Sequence, residues 1–296
     1  MNRGPGVWKA EGTRDEYDGF PIFVREAGAG PPLLLIHGFP TSSWDWHRIW
    51  PELISRFRVV APDLIGYGFS AKPRRYPYST FRQADLVEGL LRSRGIEEAH
   101  VLAHDYGDTV LQELLARRLE EPERRFRILS ACLLNGGIFV EAIRPRRIQR
   151  LLLTPLGPLL GRVYSRRSFD RTFSALFGPR TRPTEDELAS YWEMVTRDGG
   201  RRILHRLIRY LRERRTHRAR WVEALRTTTT PLRFVVGPED PVSGALMARR
   251  YHELIPRPDV VTLDAIGHYP QVEDPEGVLR AFLDFVERRA LRPEDT

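Results

Sequence analysis

The first half of the chain repeats one pattern: a short aliphatic or β-branched run, a loop, then a helical stretch. Residues 32–36 read as a strand, 37–40 as a loop and 43–54 as a helix. The next strand, 58–61, ends in a turn punctuated by Gly66 and Gly68, and a helix follows over 81–94. Strand 100–103, helix 107–119 and strand 128–134 continue the series. A chain that keeps alternating strand and helix builds a parallel sheet covered on both faces, so the expected class is α/β.

After Gly136 and Gly137 no strand signal recurs before 232; amphipathic helical stretches fill the interval. Strands at 232–236 and 260–263 and an amphipathic helix at 276–289 close the chain. The expected organisation is a core over 1–137, an inserted helical cap (lid) over 138–228 and the rest of the core over 229–296, with 227–230 as the return linker. A chain of 296 residues with 41% hydrophobic content can bury a core of that kind.

The net charge of +8 is unevenly spread. Residues 141–230 hold 21 Arg and 9 acidic residues, or +12, which leaves 26 basic and 30 acidic residues, or −4, elsewhere. Lys stands only at positions 9 and 72, an arginine bias of the kind that GC-rich bacterial coding produces. No nucleic-acid-binding motif accompanies the charge, so no nucleic-acid partner is expected. The lone Cys132, in an apolar run, cannot form an internal disulfide and reads as a buried thiol. Residues 1–16 lack the apolar core of a signal peptide, and no stretch approaches the roughly 18 apolar residues of a membrane span. The expectation is a cytoplasmic protein without stable membrane insertion; oligomeric state is not legible.

Chemistry enters at the strand-to-helix junction Val101-Leu102-Ala103-His104-Asp105-Tyr106-Gly107. A small residue two before and a Gly two after the central residue permit the sharp turn called a nucleophile elbow, which lifts Asp105 above the sheet edge. The same turn aims backbone N–H groups, including that of Tyr106, at the oxygen beside the attacking group. An isolated Asp ahead of a helix is more often an N-cap, so its company decides. His37-Gly38-Phe39-Pro40 follows an apolar strand and offers a second N–H, from Phe39, completing an oxyanion hole. Gly237-Pro238-Glu239-Asp240 places a carboxylate at a strand's C-terminal end, where open α/β sheets gather their sites. Gly267-His268-Tyr269 follows the last strand. Asp105, Asp240 and His268 thus stand in the order nucleophile, acid, base of α/β-hydrolases. No Gly-x-Ser-x-Gly and no His-Glu-x-x-His occurs, and the glycines of residues 63–73 lack the Gly-Lys-Ser/Thr ending of a phosphate loop.

With these residues in place the chain resembles the epoxide hydrolase and haloalkane dehalogenase branch of the α/β-hydrolases, and within it the bacterial relatives of the mesoderm-specific transcript protein. The resemblance runs from about Gly19 to Arg288 on HGFP at 37, PDLIGYGFSAKP at 62, AHDYGDTVLQELL at 103, LLNGGIF at 133, FGPRTRP at 177, GPEDPV at 237 and GHYPQVEDP at 267. It implies an α/β-hydrolase fold with a mostly parallel central sheet flanked by helices and an inserted helical lid. It also implies a covalent ester on Asp105, which His268, supported by Asp240, hydrolyses by activating water while Phe39 and Tyr106 hold the oxyanion. A carboxylate suits attack on an sp³ carbon because it is already ionised at neutral pH. Neither metal nor organic cofactor is called for. By the same analogy His37 and His104 are structural supports, Glu239 is solvated, and Asn135, at the acid position of some dehalogenases, cannot neutralise an imidazolium.

The leaving group depends on the lid. Epoxide hydrolases of this branch protonate the opening ring from a pair of lid tyrosines, and Tyr191 and Tyr210 are the candidates, with Tyr164 a third. Leu188, Tyr191, Trp192 and Val195 share one helical face, as do Ile203, Leu207, Tyr210 and Leu211. Packing of the lid would explain both faces equally. A halide would need an indole beside the nucleophile, where this chain has Tyr106, a departure from both enzyme types. The animal mesoderm-specific transcript protein lacks a Tyr at the position matching Tyr191. The expected partners are a small apolar epoxide or related electrophile and water. Haloalkane dehalogenation and a non-catalytic ligand-binding or interaction role stand as alternatives.

Overall fold

The computed structural model describes residues 4–123 and 126–290. Among them, eight strands form one sheet: β1 (Thr13–Tyr17), β2 (Phe20–Ala27), β3 (Pro32–Ile36), β4 (Arg58–Pro62), β5 (Glu98–His104), β6 (Arg127–Leu134), β7 (Leu232–Val236) and β8 (Val260–Thr262). The spatial order is β1-β2-β4-β3-β5-β6-β7-β8. β2 pairs antiparallel with both β1 and β4, and every other pairing is parallel. Leu33 to Ile36, Val101 to His104 and Ala131 to Leu134 are buried without a break, as strands covered on both faces must be. Cys132 lies in that core as a free thiol.

The parallel strands anticipated from the sequence all form. Two features differ. The helix expected over 43–54 is a 3₁₀ turn, Ser43–Trp46, followed by a short helix, Trp50–Ile54. Pro51 suits the first turn of the second piece, where its missing N–H has no partner to lose, and would break a helix running through it. Ahead of β3 stands a hairpin, β1–β2, joined at Asp18 and Gly19 with φ of 53° and 75°. Positive φ at both central residues is the type I′ turn that matches strand twist.

Between β6 and β7 the chain is helical. Helices Arg147–Leu152, Gly157–Val163, Arg166–Ser174, Glu185–Thr196 and Tyr210–Thr216 precede Arg218–Thr227, which lies against the core helix Tyr106–Glu120. There Trp221 Nε1 donates to Glu113 Oε2 at 2.8 Å, and Arg117 and Arg220 also pair with that buried carboxylate. Helix Glu185–Thr196 starts on a capping box, Thr184 Oγ1 accepting from Glu187 N while Glu187 Oε2 accepts from Thr184 N. That start sets the turn of helix on which Tyr191 points inward, fully buried.

Candidate active site

Asp105 separates β5 from helix Tyr106–Glu120 with φ 48° and ψ −101°, a strained conformation for a non-glycine residue. The turn fits because position 107 has no side chain: a Cβ there would stand 2.2 Å from the Ile36 carbonyl oxygen of β3. Gly38 is equally constrained, since its Cβ would meet Asp105 Cβ at 2.9 Å. The absence of that atom lets the loop after β3 approach the elbow, and Phe39 N–H donates to Asp105 Oδ2 at 3.1 Å. Tyr106 opens the helix, so its N–H has no carbonyl partner within it and faces the same end. Its ring lies 4.5 Å from that of Tyr210.

His268 arrives on the loop after β8. Its Nδ1 donates to Asp240 Oδ2 at 2.8 Å, and its Nε2 stands 3.9 Å from Asp105 Oδ2, beyond direct hydrogen-bond reach. Asp240 is held from several sides. Asn135 Nδ2 and Ser243 Oγ donate to its Oδ2 at 2.9 and 2.7 Å, and Val242 N–H donates to its Oδ1 at 2.7 Å. Asn135 therefore orients the acid from the end of β6, and Glu239 is exposed. His104 Nε2 donates to the His268 carbonyl at 2.7 Å. His37 donates to the Gly38 carbonyl and accepts from Leu64 N–H. Burial lowers the pKa of both rings, that of His104 to about 3, so each serves as a neutral brace.

Burial opposes the charges of Asp105, Asp240 and His268, yet their partners outweigh it. Burial pushes the Asp105 carboxyl up, but His268 and the Arg214 guanidinium hold it at about 2. Burial pushes His268 down, but the Asp240 and Asp105 carboxylates raise it to about 10. The resting site is thus a carboxylate beside an imidazolium. Were the Asp105 charge neutralised, His268 would lose one of the two anions that keep it protonated. Its imidazole would then be a readier base.

Arg214 was not singled out by sequence. It lies on helix Tyr210–Thr216, buried, with Nη2 donating to the Asp105 carbonyl at 2.9 Å and standing 3.5 Å from Asp105 Oδ1, while Nε donates to Thr109 Oγ1 at 2.7 Å. Its guanidinium covers the Tyr210 ring at 4.6 Å. The available signal was helical spacing: Leu207, Tyr210, Leu211 and Arg214 fall on one face.

The two lid tyrosines occupy different surroundings. Tyr210 packs on Phe39 at 5.8 Å, and after burial the Asp105 carboxylate contributes most to raising its hydroxyl pKa, which places it beside Asp105. Tyr191 packs on Trp44, Phe173 and Tyr269, and after burial the Asp45 carboxyl acts on its hydroxyl most strongly. Tyr164 bonds Thr172 Oγ1 at 2.7 Å. Phe39 and His268 also line a cavity of about 970 Å³, whose other walls are largely apolar lid residues such as Ile148, Leu152, Leu160, Phe169 and Phe173. No group of three or more His, Cys, Asp or Glu side chains suited to a metal ion occurs among the described residues.

An aspartate elbow at the end of a central parallel strand, a histidine and second carboxylate on later strand ends and a helical insertion above them define a lidded α/β-hydrolase. The chain belongs to the alpha/beta hydrolase family, whose model matches residues 33–281. It is 43% identical over 290 residues to the mouse mesoderm-specific transcript protein, covering 94% of this chain and 87% of that one. Among solved structures it is similar to haloalkane dehalogenase DbeA from Bradyrhizobium elkani, with TM-score 0.78, 25% identity and coverage of 93% and 97%. It shares its fold with epoxide hydrolase CorEH, with TM-score 0.76, 20% identity and coverage of 94% and 98%.

Proposed function

We propose that this hydrolase opens lipophilic epoxides to vicinal diols through an ester on Asp105. The observation that carries the reading is the ionised Asp105 at the elbow, with Phe39 N–H on one carboxylate oxygen and the His268–Asp240 pair beside it. One Asp105 oxygen attacks a ring carbon and the carbon–oxygen bond of the ring breaks. Tyr210, with Tyr191 as the second donor, gives the departing alkoxide a proton, and the His268 imidazolium returns one to the phenolate, which leaves His268 neutral. Water then attacks the Asp105 carbonyl carbon, His268 takes its proton, and the N–H groups of Phe39 and Tyr106 hold the oxyanion until the diol leaves. The apolar cavity favours a substrate that buries hydrocarbon.

The similarity to DbeA keeps a second reading, removal of halide from a haloalkane by the same nucleophile. A His268→Gln variant separates the two, since the ester should form and hydrolyse slowly. The variant is mixed with a terminal epoxide or a bromoalkane and the peptide containing Asp105 is weighed. A hydroxyalkyl adduct from the epoxide alone supports the proposal. An alkyl adduct from the bromide alone replaces it with dehalogenation. No adduct from either, in folded protein, rejects both.

A further inference from the structure

Between residues 142 and 169 the chain carries seven arginines, at 144, 146, 147, 150, 162, 166 and 167, and no acidic residue. Among the described residues, an ion pair forms within this group only for Arg166, with Asp170. Among the described residues, the same stretch carries the large apolar side chains most open to solvent. Leu156, Leu159 and Val163 are 64, 57 and 65% exposed and Leu151 is 48% exposed. Leu156, Leu159 and Val163 are spaced i, i+3, i+7 along helix Gly157–Val163 and its cap, so they share one face. Leu151 and Val163 also line the cavity, together with Arg144, Arg146 and Arg147, so the cavity opens where this face lies.

We propose that this face of the lid docks on an anionic lipid bilayer, seating Leu156, Leu159 and Val163 among the acyl chains, with the surrounding arginines at the headgroups and the cavity mouth turned toward the membrane. Apolar side chains ringed by cations are what an interfacial surface requires: the first gain from leaving water, the second from phosphate and carboxylate headgroups. Water alone gives no reason to expose four large apolar residues together. A second copy of the chain is a poorer occupant, because a twofold contact through this face would set its arginines against their own copies with no carboxylate from residues 142–169 between them. The docking is independent of the leaving group at Asp105. Its consequence for that site is that lipophilic molecules can pass from bilayer to cavity without crossing water.

The test is flotation of the full chain with vesicles of phosphatidylcholine alone and with one quarter phosphatidylglycerol. Two variants are compared with the parent: Leu156→Ser with Leu159→Ser, and Arg150→Gln with Arg162→Gln and Arg167→Gln. None of these side chains lines the cavity, and circular dichroism reports whether each variant folds. The parent should bind the anionic vesicles and not the neutral ones. The arginine variant and the leucine variant should each lose on the order of a hundredfold in partitioning. A Leu159→Cys label keeps the test open if a variant misfolds. The only native thiol, Cys132, is buried, so an environment-sensitive dye reports position 159 alone and should shift to the blue on anionic vesicles. Absence of binding to anionic vesicles would overturn the proposal. So would binding that the leucine variant leaves unchanged, which is the general attraction of a basic protein. A parent that dimerises, with the leucine variant monomeric and neither on vesicles, would assign the face to self-association instead.

Discussion

Replacing Asp240 by Asn removes one charge and keeps the shape, and its effect can be worked from the contacts. Oδ2 of Asp240 receives three donors, from His268, Asn135 and Ser243, and Oδ1 receives the Val242 N–H. An Asn side chain has one oxygen. Turned toward the three donors it sets its NH₂ against Val242 N–H; turned the other way it meets all three with hydrogens. The first orientation wins and leaves one buried donor facing another, a cost of about 1–3 kcal/mol in stability. The larger effect is on the imidazolium, which loses the anion most responsible for raising it to about 10. Breaking a buried charge pair costs about 3–5 kcal/mol. Ester hydrolysis, in which His268 must gain a proton, should therefore slow by roughly two to four powers of ten. Alkylation of Asp105, which needs no base, should keep within about tenfold of the parent rate. In single-turnover experiments read by intact-protein mass, Asp240→Asn should accumulate ester where the parent shows none. Hydrolysis within tenfold of the parent in a folded variant would show that Asp240 does not support the base.

Four further outcomes are expected. Arg214→Met removes the guanidinium from Asp105 and should destabilise the fold by about 3–5 kcal/mol in urea titrations while slowing ester formation. Tyr210→Phe should lower the epoxide-opening rate on the order of 10²–10⁴-fold and leave hydrolysis of a preformed ester unchanged, measured by following the two phases separately. Gly107→Ala puts a methyl group against the Ile36 carbonyl and should cost about 1–3 kcal/mol in thermal unfolding. The pH dependence follows from His268, whose pKa rises from 6.5 to about 10 on folding. A group raised in the folded state adds stability in full below 6.5 and loses it as pH climbs through 10. The margin of the parent over His268→Gln in melting temperature should thus be flat in mild acid and shrink between those limits.

The strands that carry the site were legible because each is a short apolar run ending in a Gly- or Pro-marked loop, and burial on both faces demands that run. Asp105, Asp240, His268 and the Phe39 loop were legible for a related reason: they sit directly after such runs. The β1–β2 hairpin was not seen because β1 is an edge strand whose residues are largely exposed, so it has no apolar alternation; Asp18-Gly19 was its only clear mark. Arg214 was hidden by its neighbours. Arg212 and Arg215 flank it, and composition gives no way to tell a buried guanidinium from exposed ones. Only its place on the face of Tyr210 distinguishes it. The inward faces of Tyr191 and Tyr210 were legible from helical spacing, but what stands opposite each one is decided by the angle at which helices far apart in sequence meet, and local pattern carries no record of that.

The bond from Arg214 to the Asp105 carbonyl has a consequence for anyone who would retailor this scaffold. Lids are attractive modules to exchange between members of a family, since they carry so much of the cavity wall. Here the module also supplies a strut to the strained elbow beneath it. A transplanted lid lacking a guanidinium at that point would leave a buried carbonyl and a buried threonine hydroxyl without their donor. A chimera built on this core should therefore keep Tyr210 to Thr216 from the parent and take its new specificity from the helices nearer the mouth.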